Sequence, residues 1–473
     1  MVWTILAILS GLFILFLLYS NRTRRRNEPP LDKGHIPWLG HALEFGKDAA
    51  KFLARMKEKH GDIFTVRVAG MYLTVLLDPH SFDSVLNDVG SLEVGNSRNK
   101  LLEQIFGLQL NGIKDSDERS WMEKHFHAVS LTKLCSKMKT NMQNLLKDDF
   151  NGNKNWRQDG LFNLCYSLLF RAGYLTLFGS EGNASAVYKE FRKFDDRLTK
   201  LARKSLKRAR EKLWDLLSPK CLESTPKPWQ QDYIDFLKKE GVDAEMQTRA
   251  LLLQLWTTQC NAGPAAFWLL GFLLTHPEAM EAVKSELKHL TPQDSPPKSA
   301  PLQEPGAHPT TPVFDSVLSE TLRLTAAVMI NRDVVQDKSV CMADGRQYFL
   351  RKGDKVCLFP FLSPQMNEEI HEQPQMFKYD RFLNEDMTVK RTFYKDGRQL
   401  KHYSMPWGAG GNMGKSLCIF CLRFVSLVLT HLDVELCEPG ARLPPVDPGR
   451  YGFGMLKPHG DVQVRCRLRT TQH

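Results

Sequence analysis

The strongest constraint on this chain is its first apolar segment, Val2 to Tyr19, which reads VWTILAILSGLFILFLLY and carries no charge. A run of this length is just long enough to cross a bilayer as a helix. Basic residues follow it directly, in the sequence Arg22-Thr23-Arg24-Arg25-Arg26, and the positive-inside rule then places the remaining residues in the cytosol. A cleaved signal peptide is the alternative, but it usually has its positive charge before the apolar run and a small-residue cleavage site after it. We therefore expect residues 1–20 to be a transmembrane signal anchor.

The anchor is followed by a basic, proline-rich connector, predicted for residues 21–40. Pro29 and Pro30 stiffen it, because proline fixes φ and cannot continue a helix. The whole chain is 42% hydrophobic and 25% charged, which is enough apolar content for a large buried core. No linker composition and no repeat of fixed period divides the remainder. Residues 41–473 are therefore expected to form one domain.

The net charge of +11 comes from the arginines just named and from residues 189–212, which hold eleven Lys or Arg against four Asp or Glu. This second segment has apolar residues at near-helical spacing. It is interpreted either as a plain surface helix or as a helix that contacts anionic lipid. Nucleic acid is not an expected partner, because the chain has no zinc-ligand spacing and no aromatic-glycine RNA motif. Ten scattered cysteines indicate reduced thiols on the cytosolic side of a membrane.

Periodicity predicts a mainly α fold with a minor β part. Residues 62–77 are rich in β-branched residues on both sides of Gly70 and predict two strands. Residues 79–320 are mostly helical by apolar spacing. Residues 332–358 alternate as strands do, and the Pro-rich stretch 291–312 predicts a loop.

Two charged motifs occur in order towards the C-terminus. Glu320 and Arg323, in SETLRL, share one helix face at i and i+3, and an ordinary helix ion pair is the simplest interpretation of these two residues alone. The second motif, FKYDRF, contains Arg381. A glycine-rich loop follows and reads PWGAGGNMGKS from Pro406 to Ser416. Its glycines allow the backbone to pass close to a flat macrocycle.

A long apolar helix is predicted for residues 248–274, which read TRALLLQLWTTQCNAGPAAFWLLGFLL. Pro264 is expected to kink this helix and to free a backbone carbonyl. Asn261 lies just before the kink; the segment contains no acid, and no threonine follows Asn261 within it. A kinked core helix with Asn261 as an ordinary capping amide is the alternative to a functional role.

Together with FPFLSPQ and RYGFGM, these motifs resemble the haem-thiolate cytochrome P450 superfamily, nearly from end to end. The resemblance implies the cytochrome P450 fold after one N-terminal transmembrane helix, and haem b (iron protoporphyrin IX) as cofactor of a catalytic domain at 41–473. It also implies that Glu320, Arg323 and Arg381 form a structural network that clamps the loop holding the haem ligand.

The iron ligand is missing from its usual place in that loop. The family pattern is an aromatic, two residues, Gly, three residues and Cys. Trp407 and Gly410 fit this pattern, but the ligand position falls on Gly414. The simplest account is a loss of Cys-x before Gly414, either real or from a gene-model or splicing artefact. Cys418 is the remaining candidate for the metal ligand, displaced by roughly one helical turn. A protein without normal haem ligation is the third interpretation.

Within the superfamily the resemblance is to its prostaglandin-isomerising branch. This implies an isomerase that converts prostaglandin H2 to prostacyclin by haem-iron-assisted endoperoxide cleavage. Because the substrate carries its own oxidant, no obligatory reductase is expected as a partner. Asn261 is then the expected catalytic residue, above the iron and near the endoperoxide. The anchor places the enzyme in the endoplasmic reticulum membrane as a single-pass protein with a cytosolic catalytic domain.

The resemblance also assigns contacts to individual residues. The expected substrate-binding residues are Gln104, Leu110, Asn261, Asn331, Arg332 and Lys355. The expected haem contacts are Trp121, His125, Arg332, Trp407 and Gly410, with Arg332 as the partner of a propionate. Three other functions remain open: a sterol monooxygenase of bile-acid synthesis, an inactive protein of this fold without thiolate-ligated haem, and a non-enzymatic lipid-binding remnant.

Overall fold

The computed structural model describes residues 3–5, 7–8, 10–11, 13, 22–88, 90–110, 113, 120–121, 124–125, 128–150, 155–179, 182–198, 203–218, 221, 228–288, 311–408 and 424–469. Among these residues, none of the helices combines the length and the apolar character that a membrane crossing needs. Much of the predicted anchor lies outside the described ranges, and so does the glycine-rich loop from residue 409 onward.

The described part of the chain is mainly helical, as predicted. Its helices are α1 (Ala42–Lys47), α2 (Ala49–His60), α3 (Asp83–Leu86), α4 (Gly95–Phe106), α5 (Ala128–Phe150), α6 (Leu161–Leu177), α7 (Ala184–Arg197), α8 (Arg203–Leu216), α9 (Pro228–Lys239), α10 (Ala244–Gln259), α11 (Ala262–Thr275), α12 (Pro277–Lys288) and α13 (Pro312–Thr325). Residues 424–431 are also helical. Local sequence explains their ends: at α2 the Asp48 side chain accepts a hydrogen bond from the Lys51 N–H, and Gly61 ends the helix with a φ of 85°.

The minor β part consists of short strands. They are β1 (Leu31–Asp32), β2 (Ile63–Val68), β3 (Met71–Leu76), β4 (Leu92–Glu93), β5 (Arg157–Gly160), β6 (Ala326–Val328), β7 (Ile330–Val334), β8 (Lys338–Cys341), β9 (Gln347–Leu350), β10 (Lys355–Leu358), β11 (Tyr394–Lys395), β12 (Arg398–Gln399), β13 (Leu432–Leu436), β14 (Phe453–Met455) and β15 (Gln463–Leu468). The two strands predicted around Gly70 are β2 and β3, which pair antiparallel with Thr65 opposite Thr74.

The largest sheet has six strands in the order β1-β2-β3-β10-β7-β4. Strand β10 runs parallel to β3 and antiparallel to β7. It therefore lies between a strand from the N-terminal part of the chain and one that shortly precedes it in sequence. A smaller pairing joins β14 to β6 directly after α13, with Met455 opposite Ala326. This pairing carries the C-terminal segment into the middle of the helical core.

The core is built around α6 and α11, and both are buried along most of their length. A helix that is apolar on all sides has to be surrounded by other elements, which is how α11 is placed. Trp268 of α11 donates its indole N–H to the Leu456 carbonyl at 2.7 Å and so joins the helix to the C-terminal segment. The helix predicted for residues 248–274 is in fact two helices, α10 and α11, with Cys260 and Asn261 between them.

The basic segment 189–212 belongs to α7 and α8, and its apolar side faces the core. Phe191 and Phe194 of α7 are fully buried, as is Leu213 of α8. Residues 199–202 lie outside the described ranges. The core covers these apolar side chains. Arg192 and Arg210 are half-buried, with their guanidinium groups 4.6 Å from the ring centroid of Tyr166 and 4.9 Å from that of Trp214. Contact of this segment with anionic lipid stays a prediction.

The predicted connector is attached to the large sheet. Nη1 of Arg22 lies 2.6 Å from Oδ1 of Asp354, and the guanidinium of Arg351 donates to Oε2 of the buried Glu28 at 2.9 Å. Strand β1, also within the connector, pairs parallel with β2. The chain that emerges from the apolar N-terminal segment is therefore docked on the domain within a few residues.

Candidate functional site

The three residues expected to form a structural network are in contact with one another, where α13 meets the segment that contains Arg381. The Glu320 carboxylate accepts hydrogen bonds from Arg323 at 2.7 and 2.8 Å and from Nε of Arg381 at 2.9 Å. The backbone N–H of Lys378 adds another at 3.1 Å. Glu320 and Arg323 are fully buried, and the Arg381 side chain is 6% exposed. We call Glu320, Arg323 and Arg381 the Glu320 network.

The remaining donors of the Glu320 network hold the chain that follows. Nη1 of Arg323 donates to the carbonyls of Gln365 at 2.8 Å and Pro374 at 2.7 Å. Arg381 donates to the carbonyl of Glu372 at 2.7 Å and to that of Met376 at 2.9 Å. Buried charges are tolerated only when they are paired and hydrogen-bonded in this way. The network therefore joins α13 rigidly to residues 365–381.

The glycine-rich loop begins within the described residues and continues outside them. Trp407 is half-buried and packs against the main core. Gly408 has a φ of 73°, a conformation that favours glycine, and a Cβ there would lie 3.6 Å from Ile330. Gly410, Gly414 and Cys418 lie outside the described residues.

Two of the buried cysteines near the core, Cys357 and Cys260, have thiols that stay protonated. Burial raises the pKa of the Cys357 thiol to about 12. Burial, and then the nearby Asp195, also raises the pKa of Cys260. A metal-binding thiolate requires the opposite shift. The Glu320 network and Trp407 fit the protein frame of a haem site. Cys418, the remaining candidate for the iron ligand, and Cys421 lie outside the described residues, so the ligand assignment stays a prediction.

Asn261 lies at the junction between α10 and α11, just before the first turn of α11. Its Oδ1 accepts a hydrogen bond from the backbone N–H of Met455 in β14 at 3.0 Å. The side chain makes no capping hydrogen bond to its own helix. Because an N–H can only donate, this contact fixes Oδ1 towards β14 and leaves the Nδ2 group as the donor available to a ligand.

The first turn of α11 is apolar and buried. Ala262, Ala265 and Ala266 are at most 4% exposed. No carboxyl or hydroxyl group occurs between Cys260 and Ala266. This part of the site can therefore exclude water and hold an apolar ligand, but it offers no side chain that gains or loses a proton.

Leu110 and Gln104 occupy different environments at the end of α4. Leu110 is 2% exposed and belongs to the main core. Gln104 is exposed, and the contact described for it is through its backbone carbonyl, which accepts from Arg210 at 3.3 Å. The burial of Leu110 is compatible with a pocket residue, whereas the exposure of Gln104 separates it from the core.

Asn331, Arg332 and Lys355 lie on neighbouring strands, where β7 pairs with β10. Nζ of Lys355 forms a 2.5 Å ion pair with Asp333 and also donates to Ser97. Asn331 is exposed and Arg332 is half-buried. Lys355 is therefore engaged by a carboxylate of this chain, while the expected contact of Arg332 with a propionate stays a prediction.

Trp121 and His125 contact α9. The ring centroids of Trp121 and Tyr233 are 4.4 Å apart, and Nε2 of His125 lies 3.0 Å from Oδ2 of Asp232. These contacts attach the segment that carries Trp121 and His125 to α9. Their expected role at the haem stays a prediction.

Several residues around Asn261 were missed by the sequence reasoning. Tyr166, Asp195, Arg450 and Met455 are buried within the same contact network, described below. The sequence offered one signal, the alternating glycines of RYGFGM, because Gly454 has a φ of 94°. A Cβ at this position would lie 2.7 Å from Oδ1 of Asn261.

Comparison with known proteins gives a consistent result. The sequence model of the family described as Cytochrome P450 matches residues 29–464. Prostacyclin synthase of Homo sapiens is 48% identical over 499 residues, which cover 99% of this chain and 100% of the relative. Prostacyclin synthase of Rattus norvegicus is 48% identical over 479 residues, 94% of this chain and 95% of the relative. The 7-alpha-hydroxycholest-4-en-3-one 12-alpha-hydroxylase of Homo sapiens is 38% identical over 487 residues, 95% of each chain.

Proposed function

This chain belongs to the cytochrome P450 family, and from that premise we propose that it is an isomerase that converts prostaglandin H2 to prostacyclin (prostaglandin I2), with haem b as its cofactor. The observation that carries the proposal is the 48% identity to prostacyclin synthases over nearly the whole chain. The hydroxylase matches over a similar length but at 38%. The similarity therefore separates an isomerase from a sterol monooxygenase.

The site agrees with this reaction in what it lacks and in what it holds. When bound, the haem supplies an iron that can accept one endoperoxide oxygen and promote cleavage of the O–O bond. Substrate and product are isomers, so the reaction consumes no external oxidant or reductant. The buried alanines of α11 can exclude water, and the turn between Cys260 and Ala266 offers no acid or threonine that could relay protons to dioxygen. We therefore propose that no reductase partner is required.

Asn261 is proposed to orient the substrate through Nδ2. Its Oδ1 is held by the Met455 N–H at 3.0 Å, so the donor end of the amide is presented to a ligand. A hydrogen bond from Nδ2 to an endoperoxide oxygen would hold that oxygen in one position. Donors placed in this way typically change rates by about a hundredfold or more when they are removed.

The membrane location is proposed from the N-terminal sequence. Residues 1–20 would anchor the chain in the endoplasmic reticulum membrane, with the catalytic domain in the cytosol, where a lipid substrate can partition to it. The contact between Arg22 and Asp354 would hold the domain close to the bilayer. Resistance to extraction with alkaline carbonate tests the anchor. Asn21 and Asn183 lie in glycosylation sequons that a cytosolic domain would leave unmodified, so a glycosidase-sensitive gel shift would show the opposite orientation.

The function is tested with the purified full chain, prostaglandin H2 and no reductant. Formation of prostacyclin, measured by mass spectrometry of its stable hydrolysis product, is the expected result. Turnover of a sterol that depends on NADPH and a reductase, with none of prostaglandin H2, would replace the proposal with a sterol monooxygenase.

The cysteine that ligates the haem iron is identified with two matched variants, whose absorption spectra are recorded in the reduced, carbon-monoxide-bound state. Cys418→Ser is expected to abolish the Soret band of the thiolate-ligated form, and Cys421→Ser, three residues away, is expected to retain it. A chain that binds no haem in any of these forms would keep the fold without the chemistry.

A further inference from the structure

The break between α10 and α11 leaves one backbone carbonyl without its helical partner. In an α-helix the N–H of residue i donates to the carbonyl of residue i−4, so residue 264 would serve Cys260. Pro264 has no N–H. The hydroxyl of Tyr166 in α6 lies 3.5 Å from the Cys260 carbonyl oxygen and 3.0 Å from Oδ2 of Asp195. Because the hydroxyl has one hydrogen, the shorter bond goes to Asp195 and the contact with Cys260 is the weaker one.

Tyr166 also determines how closely α6 approaches α11. A Cβ on Gly263 would lie 2.2 Å from Cδ2 of Tyr166, so the ring packs directly against the helix backbone. Tyr166 is fully buried. Burial, and then the negative charge of Asp195, raises the pKa of its hydroxyl well above the ordinary value. The hydroxyl therefore stays a neutral donor over the physiological pH range.

Asp195 of α7 is the residue at which these contacts meet. Its carboxylate lies 3.2 Å from Nη1 of Arg450 and 2.6 Å from Nζ of Lys457. The Trp256 indole N–H donates to it at 3.3 Å. Burial raises the pKa of this carboxyl, but Arg450 and Lys457 outweigh burial and hold the pKa below its ordinary value. Asp195 is thus a permanent anion that ties α7 to the C-terminal segment.

That C-terminal segment reaches Asn261 within five residues of Arg450. The Met455 N–H donates to Oδ1 of Asn261 at 3.0 Å. Gly454 has a φ of 94°, and a Cβ there would lie 2.7 Å from the same oxygen. Only glycine combines this backbone conformation with the space that the amide occupies. The contacts therefore form a closed path. It runs from Tyr166 to Asp195 and Arg450, along the chain to Met455, across to Asn261, and through its neighbour Cys260 back to Tyr166.

We propose that this connected set of residues positions the Asn261 side chain for the reaction. The junction network consists of Tyr166, Asp195, Arg450, Met455 and Asn261. Tyr166 and Arg450 are positioning residues, because they act on Asn261 through other groups, and Gly454 sets the distance between β14 and the amide. The inference rests on the proposed function only in that Asn261 is taken as the donor to the endoperoxide.

The test compares two glycines that have similar backbone conformations and different surroundings. Gly454→Ala adds a methyl group next to Oδ1 of Asn261. Gly345→Ala is the matched control, since Gly345 has a φ of 85° and no atom within 4 Å of an added Cβ. Both variants are made in the full chain. Two quantities are measured for each: hydrogen exchange at the Met455 amide, and kcat and KM for prostaglandin H2.

Gly454→Ala is expected to speed exchange at Met455 by roughly five- to tenfold, because the amide loses the hydrogen bond to Asn261. It is expected to lower kcat by roughly ten- to a hundredfold, as displaced catalytic groups do, with KM changed by less than about threefold. Gly345→Ala should leave both quantities as in the parent chain. Unchanged exchange at Met455 in Gly454→Ala, or an equal change in both variants, overturns the inference.

Tyr166→Phe keeps the test decisive if Gly454→Ala does not fold. It removes only the hydroxyl, so the packing on Gly263 is retained. Faster exchange at Met455 with a lower kcat supports the inference, and parent-like exchange contradicts it.

Asn261→Asp separates this inference from the proposed function. The carboxylate can still accept from the Met455 N–H, but it has no donor for the substrate. Protection at Met455 is therefore expected to remain while turnover falls. If turnover in Asn261→Asp equals that of the parent, the proposed role of Asn261 is wrong, whereas the exchange data for Gly454→Ala and Tyr166→Phe still decide the junction network.

Discussion

The Glu320 network and the junction network solve one physical problem in two ways. Each contains a fully buried carboxylate, Glu320 or Asp195, and each neutralises it with two basic side chains. In the Glu320 network, Arg323 directs Nε, Nη1 and Nη2 to the carboxylate or to backbone carbonyls. In the junction network, Nε and Nη2 of Arg450 have no hydrogen-bond partner among the described residues.

The second arrangement is open because it borders a cavity. A cavity of about 260 Å³ is lined by Arg192, Asp195, Asp196, Arg450 and Lys457, among others. It is polar and large enough for several water molecules, although Nε and Nη2 of Arg450 are themselves buried. The difference indicates a division of labour. The closed network leaves no room for water or for another side chain to replace a lost contact, whereas the network beside the cavity has such room.

Among the substitutions that test this difference between the two networks, Glu320→Gln is expected to have the largest effect. The substitution leaves Arg323 and Arg381 buried without a counter-charge, and removal of one partner from a buried ion pair costs about 3–5 kcal/mol. We expect the free energy of unfolding in denaturant to fall by that amount. Glu435→Gln is the matched control, because Glu435 pairs with Arg465 at a position 50% exposed, where a loss below about 1 kcal/mol is expected. Equal losses in the two variants would show that the Glu320 network is no scaffold.

Asp195→Asn tests the open network and should have the smaller effect. Arg450 and Lys457 lose their counter-charge, but the cavity beside them has room for water, and Lys457 keeps its 2.8 Å contact with Asp196. We expect a loss of about 1–3 kcal/mol in the free energy of unfolding. The neighbouring Asp196→Asn, 45% exposed, is the control and should change it by less than about 0.5 kcal/mol. A loss in Asp195→Asn as large as in Glu320→Gln would contradict the distinction between closed and open networks.

The residues of the Glu320 network could be picked out from sequence because they lie in short local motifs. Glu320 and Arg323 are one helical turn apart, and Arg381 lies in a short aromatic and charged motif. The strands around Gly70 were found for the same reason, since alternation and β-branched residues are read within a few positions. Short-range spacing therefore yielded these two strands and the Glu320–Arg323 ion pair, whereas the contact of Arg381 with that pair came from the resemblance to the family.

The junction network could not be predicted, because its members are far apart in the chain and share no period. Tyr166 and Asp195 come from two helices, α6 and α7, whereas Asn261 lies at the junction of α10 and α11 and Arg450 in the C-terminal segment. Only folding brings them together. The freed carbonyl before Pro264 was predicted, but the hydroxyl near it was not, since tyrosine in a buried helix looks like ordinary core. The single available signal was Gly454, whose need for a positive φ and for space is visible only beside Asn261.

Lowering the pH should destabilise the folded chain through His371, which lies near the arginines of the Glu320 network. Burial, and then the charges of Arg323 and Arg381, lowers the pKa of His371 from 6.5 to about 3. Below pH 6.5 the unfolded chain therefore binds a proton that the folded chain refuses until about pH 3, so stability falls as the pH falls through this range. The contribution approaches about 1.4 kcal/mol per pH unit.

The measurement is the free energy of unfolding between neutral pH and mildly acidic pH. His371→Phe is expected to flatten this dependence, and the exposed His459→Phe should leave it as steep as in the parent chain. A parent-like slope in His371→Phe would mean that the histidine is not held neutral beside the two arginines.

The smallest loss in the free energy of unfolding is expected at Lys355. Its ion pair is partly exposed and serves as a reference for the two buried networks. Its side chain is 26% exposed and lies 2.5 Å from Asp333. Burial raises the pKa of Asp333, but the hydrogen bonds from Lys355 and Ser97 outweigh burial and lower it. Lys355→Met should reduce the free energy of unfolding by about 0.5–1 kcal/mol at neutral pH, because the pair is only partly removed from water. The difference should disappear as Asp333 becomes protonated in acid.

The same variant also sharpens the assignment of the site. If Lys355 serves Asp333 rather than the haem or the substrate, Lys355→Met retains the parent kcat and KM for prostaglandin H2. The control is Lys338→Met, whose side chain is 36% exposed and lies 2.7 Å from Asp88. A loss of turnover in Lys355→Met but not in Lys338→Met would return Lys355 to the site, as the sequence predicted. It would also show that a half-exposed ion pair can serve the reaction without belonging to either buried network.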